Sequence, residues 1–144
     1  MNREELVAFV RRRGQAVLAT QGPDGAPQAT SIGIAITDDA EIIFDLSIHS
    51  REHQNLQSSP VVALVIGADD DVTLQCEGVA DVLVGVDRDR CLRVYFQQQP
   101  SGRDRAQATY ITYVRVRPGQ LRLSDFRAGS FGVQEFRLDP PIPS

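Results

Sequence analysis

The pattern of apolar positions begins as a helix and then changes to the two-residue alternation of β-strands. Leu6, Phe9 and Val10 recur at the i, i+3, i+4 spacing of a buried helix face. Asn2 is a suitable N-cap and Gly14 a natural stop. The pattern therefore predicts one amphipathic helix in front of a mainly β domain.

Short apolar runs separated by turn residues occupy most of the remaining chain, which is typical of β-strands. Val61–Ile66 is wholly apolar, as expected for a strand that is buried on both faces. The predicted strands are Ala16–Thr20, Gln28–Thr37, Glu41–Leu46, Val61–Ile66, Thr73–Val84, Tyr110–Val116 and Gln120–Leu123, with 131–138 as a candidate last strand. A turn is predicted at Pro118-Gly119, between the strands Tyr110–Val116 and Gln120–Leu123.

Two further helices interrupt these strands. One is predicted from about Ser50 to Gln57 with Ser50 as its N-cap, and the other begins at Asp87, also read as an N-cap. Strands in meander order with few helices between them indicate an antiparallel sheet. Six to seven strands in one domain favour a closed or partly closed barrel, because closure removes exposed edges.

No segment of the sequence divides the chain into parts. Residues 1–144 are therefore expected to form a single domain, with 139–144 as an extended tail. No apolar run reaches 18 residues, so no membrane-spanning segment is expected. The charged N-terminus differs from a secretory signal, and a cytoplasmic location follows as the expectation.

Charge and composition exclude several classes of partner and of active site. The net charge of −4 argues against a nucleic-acid partner, which normally requires a basic surplus. All 15 basic side chains are arginine, which excludes a Schiff-base lysine and a P-loop lysine. Six of these arginines lie between Arg103 and Arg127, where a solvated strand face is a better interpretation than an anion site.

The segment Ile42–Leu56 predicts a strand, a small polar loop and the start of a helix. Free N–H groups at a helix N-terminus bind anions. The Ser50 hydroxyl and the Arg51 guanidinium would complete a phosphate site, and Asn55 could tie the helix back to its loop. An ordinary capped helix fits the same residues equally well.

A series of short motifs runs in order along nearly the whole chain. It comprises Leu18-Ala19-Thr20, Gly25, Pro27, Phe44 to Ser47, Ser50-Arg51, Asn55-Leu56, Pro60 to Gly67, Glu77-Gly78-Val79-Ala80, Tyr95-Phe96 before Pro100, and Leu121 to Phe126. Each motif is weak alone, but their order and spacing are fairly specific. Together they resemble the pyridoxamine 5′-phosphate oxidase-related flavoproteins, including the members similar to general stress protein 26.

The resemblance implies a split β-barrel homodimer that holds FMN in a cleft between subunits and acts as an oxidoreductase on a small molecule. The cofactor-binding residues that it implies are Thr30 and Ser31 on the second strand, Asp45, Leu46 and Ser47 on the third, Ser50, Arg51, His53 and Asn55 around the helix start, and Gln75 and Glu77 from the partner subunit. No catalytic residue and no metal ligand follow from it.

This sequence also departs from the family pattern. Glu52 replaces the lysine that usually follows the serine–arginine pair, so it would have to point away and leave Arg51 or His53 to compensate. The chain has no tryptophan and no lysine. Because the true oxidases use lysine for the substrate phosphate, oxidation of pyridoxamine 5′-phosphate itself is not expected.

Two other function classes are compatible with the sequence. The chain shows no general-base pair, so a flavin-binding or apo scaffold protein without turnover is the main alternative. His49, Glu52 and His53 also match the H-x-x-E-H zinc-hydrolase motif. His49 precedes the predicted N-cap, however, so the two histidines need not share a helix face.

Overall fold

The computed structural model describes residues 1–67, 70–127, 129 and 132–138, and the predicted tail 139–144 lies outside them. It confirms a mainly β, antiparallel split-barrel fold with few helices. The elements are α1 (Arg3–Arg13), β1 (Gln15–Gln21), β2 (Pro27–Gly33), β3 (Ala35–Ile36), β4 (Ile42–Ser47), α2 (Arg51–Ser58), β5 (Val61–Ile66), β6 (Val72–Val82), α3 (Gly85–Gln98), α4 (Gly102–Arg105), β7 (Ile111–Asp125) and β8 (Gly132–Arg137).

The strand order is β2-β1-β5-β6-β7-β4-β3, with β8 paired to β7. The predicted meander is therefore wrong, because β1 lies beside β5 and β4 beside β7. The predicted strand Gln28–Thr37 is divided at Ile34, so that β2 pairs with β1 while β3 pairs with β4. Among the described residues, β2 pairs only with β1 and the C-terminal half of β4 only with β7, and we call the opening between their other edges the split.

β7 runs without a turn through Pro118-Gly119, contrary to prediction. The register between β6 and β7 shifts here, and Gly119 is the extra residue between the pairs Gly78–Pro118 and Glu77–Gln120. A bulge of this kind absorbs a proline and a glycine within a strand. Gly78 is required at this point, since a Cβ there would lie 2.5 Å from the carbonyl oxygen of Arg117.

Two clusters of buried side chains lie on opposite sides of the sheet. The larger fills the barrel and takes in the buried face of α1, including the predicted Leu6, Phe9 and Val10. The smaller lies beneath α3 and contains Tyr95 and Tyr113. The helices α1 and α3 therefore cover only part of the sheet.

On one broad side of the sheet, apolar side chains are exposed in the part of the chain that the structure describes. We call it the outer face, and it consists of Val17, Ala19, Ala29, Ser31, Val61, Ala63, Val65, Gln75, Glu77, Val79, Gln120 and Arg122, which are paired across β2, β1, β5, β6 and β7. Val61 and Val79 are 54% and 55% exposed. The prediction that β5 is buried on both faces is thus wrong for the single chain.

An ion-pair network around two buried residues, Glu41 and Arg115, joins the sheet to α3. Arg115 donates to Glu41 Oε2 at 2.9 Å, to Asp81 Oδ2 at 2.7 Å and to Asp87 Oδ2 at 3.3 Å. Arg90 forms two further bonds to Glu41, at 2.8 and 2.9 Å. Asp87 does not cap α3, whose N-cap is Val84, because its carboxylate lies within the first turn and faces these arginines.

The network also corrects the reading of the arginine-rich segment 103–127. Arg115 is 5% exposed and is not part of a solvated strand face. Arg105, Arg117, Arg122 and Arg127 do lie at the surface, each beside a carboxylate. The segment as described therefore has no cluster of free cations for an anion.

Glu41 should make the fold sensitive to acid. Hydrogen bonds from Arg90 outweigh the opposing effect of burial and lower its pKa from 4.5 to about 2. Because the folded pKa is the lower one, the stabilisation is complete above about pH 4.5 and is lost as the pH falls towards 2. We expect this loss to reach about 3 kcal/mol in the free energy of unfolding.

Urea unfolding at pH 7 and at pH 3 measures this effect. The variant Glu41→Gln should be less stable at pH 7 and should lose less stability on acidification than the wild type. Glu4→Gln, at an exposed position on α1, serves as the control. An identical pH dependence in the wild type and in Glu41→Gln would refute the assignment.

Candidate functional site

The loop between β4 and α2 is held in shape by its own serines. The Ser50 hydroxyl donates to the carbonyl oxygen of Ser47 at 2.7 Å and accepts from the N–H of His53 at 3.1 Å, so it is the N-cap that the sequence predicts. The Ser47 hydroxyl accepts from the N–H of His49 at 3.1 Å. Among the described residues, the Ser47 hydroxyl proton is not used and can be donated to a ligand.

The first turn of α2 presents free donors. The N–H groups of Arg51 and Glu52 have no acceptor among the residues that the structure describes, as is usual for the first helical positions. The Arg51 side chain is 59% exposed, and its nearest carboxylate oxygen is Glu52 Oε1 at 3.6 Å from Nε. Glu52 therefore does not point away from Arg51, and it offsets part of the positive charge without forming a close ion pair.

Asn55 anchors α2 to the first two strands of the barrel. It is buried, and its Nδ2 donates to Thr20 Oγ1 and to Gln28 Oε1, both at 2.9 Å. The helix is thus tied to the β1–β2 hairpin. The sequence analysis expected a bond to the helix's own loop instead, and this expectation is wrong. This anchor places the N-terminus of α2 beside the split.

Thr30 and Ser31 lie on β2, which is the terminal strand of the sheet order. Their side chains point to opposite faces, since Thr30 pairs with buried Leu18 and Ser31 with exposed Val17. A ligand that touches both residues must lie across the free edge of β2. That edge borders the split.

Asp45 and Leu46 follow the same alternation on β4. Leu46 is buried in the barrel core, whereas Asp45 faces α3 and α4 and accepts from Arg105 Nε at 2.8 Å. Burial, together with the charge of Asp45, raises the pKa of Tyr95 to about 12, so this phenol is neutral at physiological pH. Asp45 is therefore part of a separate cluster, on the opposite side of β4 from Leu46.

Gln75 and Glu77 lie on the outer face, at exposed positions of β6. They pair across the sheet with Val65 and Ala63 of β5. The single chain therefore brings Ser47, Ser50, Arg51, His53 and Asn55 together around the start of α2, with the β2 edge nearby. It does not bring Gln75, Glu77 or Asp45 into that group.

His53 lines a small cleft between α2 and the sheet, together with the apolar side chains of Leu56, Val82 and Val114. The cleft has a volume of about 130 Å³, well below the roughly 300–1,000 Å³ of ordinary ligand pockets. A larger ligand at this place needs another wall.

His49 precedes α2, and its ring lies 6.3 Å from that of Tyr110, a neighbour that sequence analysis did not identify. The Ile48 N–H donates to the Tyr110 carbonyl at 2.8 Å and joins the two loops. Because His49 and Tyr110 are far apart in the chain, no local sequence pattern indicates that their rings lie close together. Within the described ranges, no three histidine, cysteine, aspartate or glutamate residues are grouped as a metal site would require.

No helix among the described residues is long and apolar enough to cross a bilayer.

A family model described as pyridoxamine 5′-phosphate oxidase matches residues 3–122. No curated protein sequence matches the chain.

Solved structures match the fold at low sequence identity. A heme binding protein from Mycobacterium smegmatis aligns over 94% of this chain and 57% of its own, with a TM-score of 0.81 and 15% identity. This chain thus spans little more than half of that protein. General Stress Protein 26 from Bacillus anthracis aligns over 94% and 98%, with a TM-score of 0.72 and 13% identity. HutZ, the heme storage protein from Vibrio cholerae, aligns over 84% and 94%, with a TM-score of 0.66 and 20% identity.

Proposed function

The chain belongs to the pyridoxamine 5′-phosphate oxidase family, and we propose that it is an FMN-binding oxidoreductase whose flavin lies along the split of a homodimer. The observation that carries this proposal is the first turn of α2. It brings together the N–H groups of Arg51 and Glu52, which have no acceptor among the described residues, with the Ser47 hydroxyl and the Arg51 guanidinium.

These donors fit a phosphate group. A helix N-terminus favours an anion through its N–H groups and its dipole. Arg51 can contact two phosphate oxygens at once, and its weak interaction with Glu52 leaves it available. The Ser50 hydroxyl proton is already used within the loop, so Ser50 shapes the site and Ser47 is the better hydroxyl donor.

The homodimer supplies what the single chain lacks. The cleft beside His53 is too small for a flavin, and Gln75 and Glu77 lie away from the α2 loop of their own chain. The outer face that carries them is apolar at Val17, Val61, Val65 and Val79. Packing two such faces together would cover these valines and add polar side chains from one subunit to the flavin of the other.

Bound FMN would supply the redox chemistry, since it can accept and return electrons. This chain's residues would hold the phosphate and position the ring. The alternative is a protein that carries flavin without turnover. Mixing the loaded protein with candidate reductants in the absence of oxygen separates the two, because only an enzyme bleaches its flavin with a specific reductant and regains the colour with an acceptor.

Heme is the second candidate ligand. Two of the structural neighbours are described as heme binding or heme storage proteins. In this chain His53 stands at an apolar cleft, and imidazole is a common axial ligand of heme iron. Heme binding would depend on His53, whereas FMN binding would depend chiefly on Arg51.

Replacing Arg51 should weaken FMN much more than riboflavin. The lost charged hydrogen bonds are worth on the order of 1.5–3 kcal/mol, which is roughly a ten- to hundredfold rise in the FMN dissociation constant. Riboflavin lacks the phosphate and should bind Arg51→Ala almost as well as the wild type. Flavin fluorescence titrations with both ligands measure the difference.

Arg93→Ala is the charge-matched control, because Arg93 is exposed on α3 and outside the site. It should leave both dissociation constants unchanged. Equal losses of FMN and riboflavin in Arg51→Ala would assign Arg51 to the fold and would remove the phosphate site from α2.

A further inference from the structure

The chain changes its strand partner at Ile34, the residue between β2 and β3. Before it, β2 pairs with β1, and after it the two residues of β3 pair with β4. The Ile34 N–H donates to the carbonyl oxygen of Gly14, at the end of α1, at 2.9 Å. Because β3 is so short, the direction in which β2 leaves this junction depends on contacts from outside the sheet.

Two consecutive glutamines at the end of α3 supply these contacts. The Gln98 amide accepts from the Ile36 N–H through Oε1 and donates to the Ile36 carbonyl oxygen through Nε2, both at 2.9 Å. Gln99 Nε2 donates to the carbonyl oxygen of Ile34 at 2.9 Å and to that of Gly14 at 2.7 Å. The two side chains therefore join α3 to the strand junction and to the end of α1.

The Gln99 amide lies close against two glycines. A Cβ at Gly33 would lie 3.2 Å from Gln99 Oε1, and a Cβ at Gly14 would lie 3.3 Å from Nε2. By contrast Gln97, the residue before the pair, is exposed, and its side chain has no hydrogen-bond partner in the described part of the chain. The contacts are thus specific to the last two residues of the run Gln97-Gln98-Gln99.

The junction bears on the split through β2. This strand carries Thr30 and Ser31, and among the described residues it pairs only with β1. Because its other edge borders the split, the angle at which β2 leaves the junction sets the width of the opening towards β4. Binding sites need their groups held to within about 0.5 Å, and bonds behind the site provide this precision.

We propose that Gln98 and Gln99 are positioning residues that set the width of the split and act on the flavin ring through β2. The part of this inference that concerns the ring rests on the proposed function, whereas the part that concerns β2 does not. If the two amides only satisfied backbone polar groups, their loss would lower the stability and leave the flavin affinity of the folded protein unchanged.

The variants Gln98→Met and Gln99→Met keep the length of the side chain and remove its amide, and Gln97→Met is the matched control. In the FMN-free protein, the NMR amide signals of Thr30 and Ser31 should shift in the first two variants and stay in place in the control. Gln98→Met is the milder change, because Arg11 Nη2 also donates to the Ile36 carbonyl oxygen, at 3.2 Å.

Flavin fluorescence titrations then compare FMN with riboflavin, at a temperature where each variant is folded. If β2 keeps its binding position in about one molecule in ten, both dissociation constants rise about tenfold. The two rises should be equal, since the change affects the ring and not the phosphate, whereas Arg51→Ala should weaken FMN alone.

Unchanged signals of Thr30 and Ser31 in both variants would overturn the proposal, because β2 would then hold its position without the amides. Unchanged riboflavin affinity would overturn it as well, and would leave the glutamines a role in stability alone. A wild type that binds neither flavin would instead contradict the proposed function, and the signals of β2 would still decide whether the glutamines position this strand.

Discussion

Replacing Arg115 by methionine should destabilise the protein by about 3–5 kcal/mol, the usual cost of removing one partner from a buried ion pair. The side chain is 5% exposed and serves Glu41, Asp81 and Asp87 at once. Without it, Glu41 keeps Arg90 and the Thr37 hydroxyl but loses its one buried cation, and Asp81 keeps only Arg117, at 3.7 Å. Chemical unfolding at pH 7 measures the change.

Arg93→Met is the matched control. Arg93 is exposed on α3, away from the outer face, so its loss should cost no more than about 0.5 kcal/mol. The double variant Glu41→Gln, Arg115→Met should recover part of the stability, because it removes the unpaired buried charge. If Arg115→Met were as stable as Arg93→Met, the network would contribute nothing.

Placing a carboxylate on the outer face should dissociate the proposed dimer. Val61 is 54% exposed in the single chain and pairs with Val79, which is 55% exposed. In a two-fold interface Val61→Asp would bury two charges without partners, which should raise the dimer dissociation constant by at least about a hundredfold. An obligate interface would bury more than about 2,000 Å² in total.

Light scattering at micromolar concentration follows the mass. The wild type should show twice the chain mass of 15.9 kDa and Val61→Asp the single mass. Val86→Asp introduces the same charge at an 85% exposed position on α3 and should remain dimeric. A monomeric wild type, or equal behaviour of the two variants, would contradict the dimer.

Local signals in the sequence were sufficient for two of the three predicted helix caps, those of α1 and α2, but not for that of α3. Asn2 and Glu5 form the capping box of α1, and Ser50 caps α2 as predicted, because these bonds span only three residues. The Pro118-Gly119 turn was wrong for the opposite reason. A long partner strand, β6, holds these two residues in a bulge, and their local turn preference is overridden.

Long-range partners could not be read from the sequence. Arg115 belonged to a segment that looked solvated, but the sheet and α3 bring Glu41, Asp81 and Asp87 to it from distant parts of the chain. Asp45 likewise pairs with Arg105, which is 60 residues away in the chain. The family resemblance grouped Ser47, Ser50 and Arg51 in one phosphate loop, which stays a prediction, whereas the anchoring of Asn55 to the hairpin required the structure.

The central claim is that this chain binds FMN through the start of α2, and equilibrium dialysis of the wild type against FMN, with heme in a parallel chamber, tests it most directly. The account predicts one FMN retained per subunit, riboflavin retained more weakly, and retention of heme, if any, that does not displace FMN. Failure to retain FMN, together with one heme per subunit that is lost in His53→Ala, would contradict it.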